Sequence, residues 1–159
     1  VTGVQTCALP ICLDAAMTLY ERILEVAPGQ PDALHLLGMA RHQVGQSEAG
    51  VALIEQAIAA QPGQAGYLNN LGNVQMQRGL LDAAARAYEQ ALALRQDDAD
   101  LHNNLGALYK AQRRHDEARA RLEHAISLAP AHINAINNLG LLYADLGNRT
   151  EAKIGRAHV

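Results

Sequence analysis

The chain has 159 residues, a formal charge of −3 and 3% aromatic residues, with five Tyr and neither Trp nor Phe. That length supports one domain with a real core, and the composition suits helices packed through small and aliphatic side chains rather than a β-sandwich. The mild acidity provides no basic field for nucleic acid or anionic lipid, and no apolar run approaches the ~20 residues that span a bilayer.

In chain order, the opening Val1–Cys12 (VTGVQTCALPIC) does not read as native protein, and neither does the closing Lys153–Val159. Both resemble a translated sequencing adapter. Gln5–Ile11 can be encoded as CAG ACG TGT GCT CTT CCG ATC, whose reverse complement is GAT CGG AAG AGC ACA CGT CTG. Read one base on, that string gives Ile154–Val159 in order, and a GTT codon for Val4 places TGA directly after it. The codons of Cys12 and Lys153 straddle the junctions. On this reading 1–12 and 153–159 are adapter-derived, and 13–152 is genuine sequence. The apolar opening is then no signal peptide. Cys7 and Cys12, with no partner cluster, support neither a disulfide framework nor a zinc site. With both native ends replaced, no targeting segment can be read, and a cytoplasmic location is the default expectation.

Between these tails the sequence repeats with a period of 34 residues, set by Leu37–Gly38, Leu71–Gly72, Leu105–Gly106 and Leu139–Gly140. A half repeat at 14–30 precedes full repeats at 31–64, 65–98 and 99–132, and a partial repeat follows at 133–152. Apolar residues at 3.6 spacing predict helices near 14–27, 31–44, 48–61, 65–78, 82–95, 99–112, 116–129 and 133–146. Gly45, Gly79 and Gly147 are placed to close the first helix of each pair in a left-handed conformation. Asp14, Glu48, Asp82 and Asp116 favour the positive start of the second helix, and Pro28, Pro62 and Pro130 stop it. Gly38, Gly72, Gly106 and Gly140 lie inside helices at ~1 kcal/mol each against alanine, so close helix packing must offset that loss. Ala16, Ala84, Ala118 and Ala152, with Ala57, Ala91 and Ala125, supply the matching small residues.

These positions resemble the tetratricopeptide repeat over essentially all of Asp14–Ala152. The resemblance implies an all-α, right-handed α-solenoid of antiparallel helix pairs that acts as a protein-binding scaffold rather than an enzyme. Departures are Gly50 for alanine, Arg41 for tyrosine, Gln96 for proline and Arg113 for the inter-helix glycine, so the first full repeat is expected to pack least well. In this family the first helices line the concave face, which places Asn69, Asn70, Asn73, Asn103, Asn104, Asn134, Asn137 and Asn138 toward the groove. Asparagine is a mediocre helix former, so the Asn-Asn-Leu-Gly doublets need a reason. A ladder of carboxamides can hydrogen-bond an extended peptide backbone whatever its sequence. The array is similar to the asparagine-lined arm of O-linked N-acetylglucosamine transferases and related bacterial repeat proteins. The alternative for these residues is solvation or bonding between neighbouring repeats.

No other chemistry competes. His35 and His42 share a helix face, but no residue completes a ligand set at metal spacing, so neither a metal nor another cofactor is expected. No nucleophile–base pair, phosphate loop or carboxylate pair can be assembled. The positions of a basic clamp for a terminal carboxylate hold His35, Met39, Asn70, Asp100 and Asn104, without Lys or Arg, which disfavours the acidic tails of heat-shock proteins. The expected partner is a protein or extended peptide, with no nucleic acid and no membrane. The array as the substrate-recruiting arm of a larger glycosyltransferase or sulfotransferase, or as a self-associating unit, is the alternative.

Overall fold

The computed structural model describes the backbone of residues 9–157 and the side chains of residues 13–147. The described residues form eight helices: α1 (Leu9–Val26), α2 (Pro31–Gln43), α3 (Ser47–Ala60), α4 (Ala65–Gln77), α5 (Leu81–Leu94), α6 (Ala99–Ala111), α7 (His115–Leu128) and α8 (Ile133–Ala157). Among the described residues there is no strand. The six helices α2–α7 fall within a few residues of the predicted spans. Most of both adapter-like tails, including the side chains of Cys7 and Cys12, lies outside the described residues.

Each helix packs on the next, and α2 also touches α4, α4 touches α6 and α6 touches α8. Among the described residues α1, α3, α5 and α7 make no contact with one another. The even-numbered helices are therefore crowded and the odd-numbered ones splayed, so the array curves with α2, α4, α6 and α8 on its inner face. The core is the layer between the two rows, where Leu68, Tyr88, Leu101, Leu105, Leu108 and Leu122 are buried.

Helix starts follow local chemistry. Gln30 accepts from Ala33 N ahead of Pro31 at the first position of α2, Asp98 Oδ1 accepts from Leu101 N at 3.1 Å, and His132 Nδ1 accepts from Ala135 N at 3.1 Å. The inter-helix turns use a left-handed residue at Gly45 (φ 85°), Gly79 (φ 76°) and Arg113 (φ 61°). Arg113 adopts the glycine conformation without being glycine, held by Arg113 N to Lys110 O and Arg114 N to Tyr109 O.

Gly147 departs from expectation: α8 runs through it to Ala157. A turn there would be repaid only by burying a return helix. The residues beyond it, NRTEAKIGRA, offer few apolar positions for that purpose. The first full repeat also departs, because α2 and α3 form the most extensive helix pair. A Cβ on Gly38 would lie 2.7 Å from Gly50 O, and one on Gly50 would lie 2.5 Å from Gly38 O. Gly50 is thus the residue that lets the two backbones meet, and alanine there would push them apart. Arg41 likewise does its position's work. It pairs with Glu21 at 2.5 Å, as Tyr109 O–H donates to Glu89 and Tyr143 O–H to Glu123, each 20 residues earlier.

Candidate functional site

The inner helices carry the predicted asparagines, and the structure joins several of them between repeats. Asn138 Nδ2 donates to Asn103 Oδ1 at 2.9 Å, Asn103 Nδ2 to Asn104 Oδ1 at 3.3 Å, and Asn104 Nδ2 to Asn69 Oδ1 at 2.8 Å. These three bonds run as one chain across α8, α6 and α4. The rungs span 35 residues, one more than the period, because the first asparagine of one doublet meets the second asparagine of the next. That offset explains the doublet: each inner helix presents one carboxamide to each neighbour. Chains of this kind polarise and orient their members.

A further rung links α4 to α2, where Asn70 Nδ2 lies 2.9 Å from His35 Nε2. With the carboxamide nitrogen donating, Nε2 accepts and the imidazole is neutral. Burial lowers the His35 pKa, against the opposing field of Asp32. The His35 ring stacks on Tyr67 at 4.6 Å, and the Tyr67 hydroxyl donates to Asp32. Burial and the Asp32 carboxylate push that phenol up to about 12. The sequence pattern concealed this rung because it ends on a histidine; the same 35-residue offset would have found it.

The eight asparagines are not equivalent. Asn69, Asn70, Asn104 and Asn138 are half-buried on the inner face, whereas Asn134 and Asn137 are exposed. Asn103 is buried within the chain of bonds. Asn73 faces its paired helix, where its Oδ1 accepts from the Tyr88 hydroxyl at 2.7 Å. A small recess of about 120 Å³ lined by Gly66, Asn69, Arg95, Asp98 and Asp100 opens at the lip of the inner face. A larger cavity, about 890 Å³, lies instead among the inter-helix turns, against Gly79, Asp82, Arg86, Gln112 and Arg114.

The described histidines are engaged within the fold. His42 meets Ser47 Oγ and Gln77 Oε1, each at 2.9 Å, and His132 Nε2 lies 2.9 Å from Asp100. Among the described residues no three His, Cys, Asp or Glu side chains converge at metal-binding distance. No described helix is long and apolar enough to cross a membrane. The acidic residues that favour the second helices also bridge repeats, with Arg78 on Glu48 at 2.7 Å and Gln112 on Asp82 at 3.2 Å.

Known proteins place this architecture. Sequence models described as tetratricopeptide repeats match residues 31–64, 72–113, 99–132 and 132–153. No curated protein matches the chain by sequence. Among solved structures, the crystal structure of MamA is similar at 28% identity and a TM-score of 0.76, covering 88% of this chain and 82% of that one. YrrB, described as a TPR protein with an unusual peptide-binding site, shares the fold at 22% identity and a TM-score of 0.69, covering 86% of this chain and 71% of its own. The first TPR of Spaghetti (RPAP3), bound to the HSP90 peptide SRMEEVD, shares it at 19% identity and 0.69, over 74% and 94% of the two chains. The 34-residue period, the paired helices and these matches together make the chain a member of the tetratricopeptide-repeat family, an all-helical protein- and peptide-binding module.

Proposed function

We propose that the inner face of α2, α4, α6 and α8 binds an extended peptide segment through its asparagine carboxamides. The supporting observation is the orientation of those groups. Asn104 spends one donor on Asn69 and one acceptor site on Asn103, which leaves it a second N–H and a second lone pair. Asn70 and Asn138 each commit one donor to a neighbouring repeat. Held by inter-repeat bonds, the carboxamides lose little further freedom on binding, which favours affinity. The stripe is neutral, so recognition falls on the peptide backbone rather than on a charged terminus. That differs from a clamp for acidic tails, which needs Lys or Arg at positions held here by His35, Met39, Asn70, Asp100 and Asn104.

The test is a titration with unstructured peptides selected against the wild-type chain from a random library. Replacing Asn70, Asn104 and Asn138 together with alanine should weaken binding by about 0.5–1.5 kcal/mol per lost hydrogen bond. Wild-type affinity should vary little with salt, since the contacts are uncharged. A triple variant that keeps its helical spectrum and binds as tightly as wild type would remove the carboxamides from the mechanism.

A further inference from the structure

In the interior of the array, one repeat carries chemistry that its neighbour lacks. A cavity of about 450 Å³ is lined by His102 and Tyr109 of α6 and by Glu117, Ala120, Arg121 and His124 of α7. Its size is that of a ligand-binding cleft. One repeat earlier the same six places hold Leu68, Gln75, Ala83, Arg86, Ala87 and Gln90. The earlier set has a single ionisable side chain, Arg86, whereas here only Ala120 is not ionisable. The cavity is thus a property of this repeat and not of the fold.

Two of its groups are left open. His102 is 4% exposed, and its Nε2 lies 2.9 Å from Gln96 O, to which it donates. In the neutral ring Nδ1 is then an acceptor. Burial keeps the ring neutral by lowering its pKa, against the bond to Gln96. Nδ1 is buried without a partner, and a buried acceptor of this kind calls for a donor. The exposed His124 rests against the His102 ring edge to face, with centroids 4.3 Å apart, so turning one surface side chain uncovers it. The second open group is Arg121. Its charge acts on His102, Tyr109 and Glu117, yet among the described residues it makes no hydrogen bond or ion pair. Arg114, by contrast, is bound through Nε to Glu117 at 2.6 Å and lies over the Tyr109 ring at 4.2 Å.

We propose that this cavity binds an acidic residue of a partner peptide, with the carboxylate on Arg121 and a backbone N–H of the same residue on His102 Nδ1. The guanidinium fork matches a carboxylate, and its charge repels a metal ion from the neighbouring imidazoles. Glu117 and Glu89, which accepts from the Tyr109 hydroxyl at 3.3 Å, already bring two negative charges close by. They disfavour the second charge of a phosphate and leave room for a single carboxylate. One aspartate or glutamate within a peptide carries both complementary groups a few atoms apart. The cavity shares no residue with the asparagine stripe, so this site and the inner face can fail separately.

Solution NMR of the whole chain tests the site, using a capped pentapeptide with aspartate among serine and glycine residues, and its asparagine twin. The aspartate peptide should shift the His102 Nδ1 resonance saturably at millimolar concentration. The asparagine twin should bind at least about tenfold more weakly, since a hydrogen bond to a charged group is lost, and Arg121→Gln should cost a similar factor. Added salt should weaken the aspartate peptide. His102→Leu reproduces the Leu68 of the preceding repeat, so it should keep the helical spectrum and lose affinity several-fold through the missing acceptor. A His102 resonance that does not respond, equal affinity for the two peptides, or wild-type affinity in either variant would each overturn the site.

Discussion

Gly106 and Gly140 occupy the same place in successive repeats, each after an identical Asn-Asn-Leu, yet their surroundings are opposite. A Cβ on Gly106 would press on Leu122 at 2.6 Å and on Ala118 O at 3.3 Å, whereas at Gly140 it would enter open space. The middle of the array and its end thus read alike in sequence and differ in physics. The period fixes where a helix goes; only a neighbouring helix makes its glycine necessary.

The contrast is broken most directly by adding one methyl group at each site. Gly106→Ala should cost about 1–3 kcal/mol, because Leu122 meets it through Cγ, close to its own backbone, and cannot swing clear. Gly140→Ala should gain about 1 kcal/mol from helix propensity alone. Urea unfolding followed by helical signal, at concentrations where the chain is monomeric, should separate the two variants by several kcal/mol. Equal effects at both sites would mean that Gly140 is as enclosed as Gly106.

The same contrast marks what the sequence made legible. Helices α2–α7 were readable because Leu-Gly, the turn glycines and the prolines are local signals tied to a strict period. Arg113 was flagged as a departure, and its left-handed backbone shows the fold holding a costly conformation through turn hydrogen bonds. Gly147 was misread because a turn glycine permits a turn without compelling one. Gly50 was misread as a packing defect because its role depends on how near Gly38 approaches, which no single-chain pattern encodes. The asparagine doublets were recognised as needing a reason, but their bonds join residues 35 apart and emerge only when helices are laid side by side.

A second comparison sets His102 against Leu68, one repeat earlier, both buried at the same place in their helices. His102 Nε2 lies 2.9 Å from Gln96 O, so it carries the proton and donates, while the buried Nδ1 has no partner. Burial lowers its pKa, partly opposed by the bond to Gln96. The sign follows: between its ordinary pKa of 6.5 and its depressed folded value, the unfolded chain takes up a proton that the folded chain refuses. Stability is therefore fully present above 6.5 and lost as pH falls below it. His102→Leu should raise stability at neutral pH by about 1 kcal/mol by removing an unsatisfied buried atom. It should also flatten the acid limb of the denaturation profile, leaving the share due to His35, whose pKa is lowered too. An unchanged acid limb would assign that limb to other groups.

The smallest effect is expected where the carboxamide chain ends. Asn103 and Asn137 are the first asparagines of successive doublets. Asn103 is buried, accepts from Asn138 on α8 and donates to Asn104. Asn137 is exposed, and among the described residues no further inner helix packs on α8 to bring it a partner. Replacing Asn137 with alanine removes no bond and exchanges a mediocre helix former for the best one, so it should stabilise the array by about 0.5 kcal/mol. Asn103→Ala gains the same propensity but leaves Asn138 Nδ2 without its acceptor, at about 0.5–1.5 kcal/mol for the lost bond. The net should be near zero or mildly destabilising. The two variants should thus differ by roughly one such bond, although both change asparagine to alanine in the same sequence context. The propagated effect distinguishes a chain from separate pairs. If the bonds reinforce one another, Asn103→Ala should also raise amide exchange in α4, through Asn104 and Asn69, and Asn137→Ala should not. Exchange confined to α6 and α8 would reduce the ladder to independent rungs.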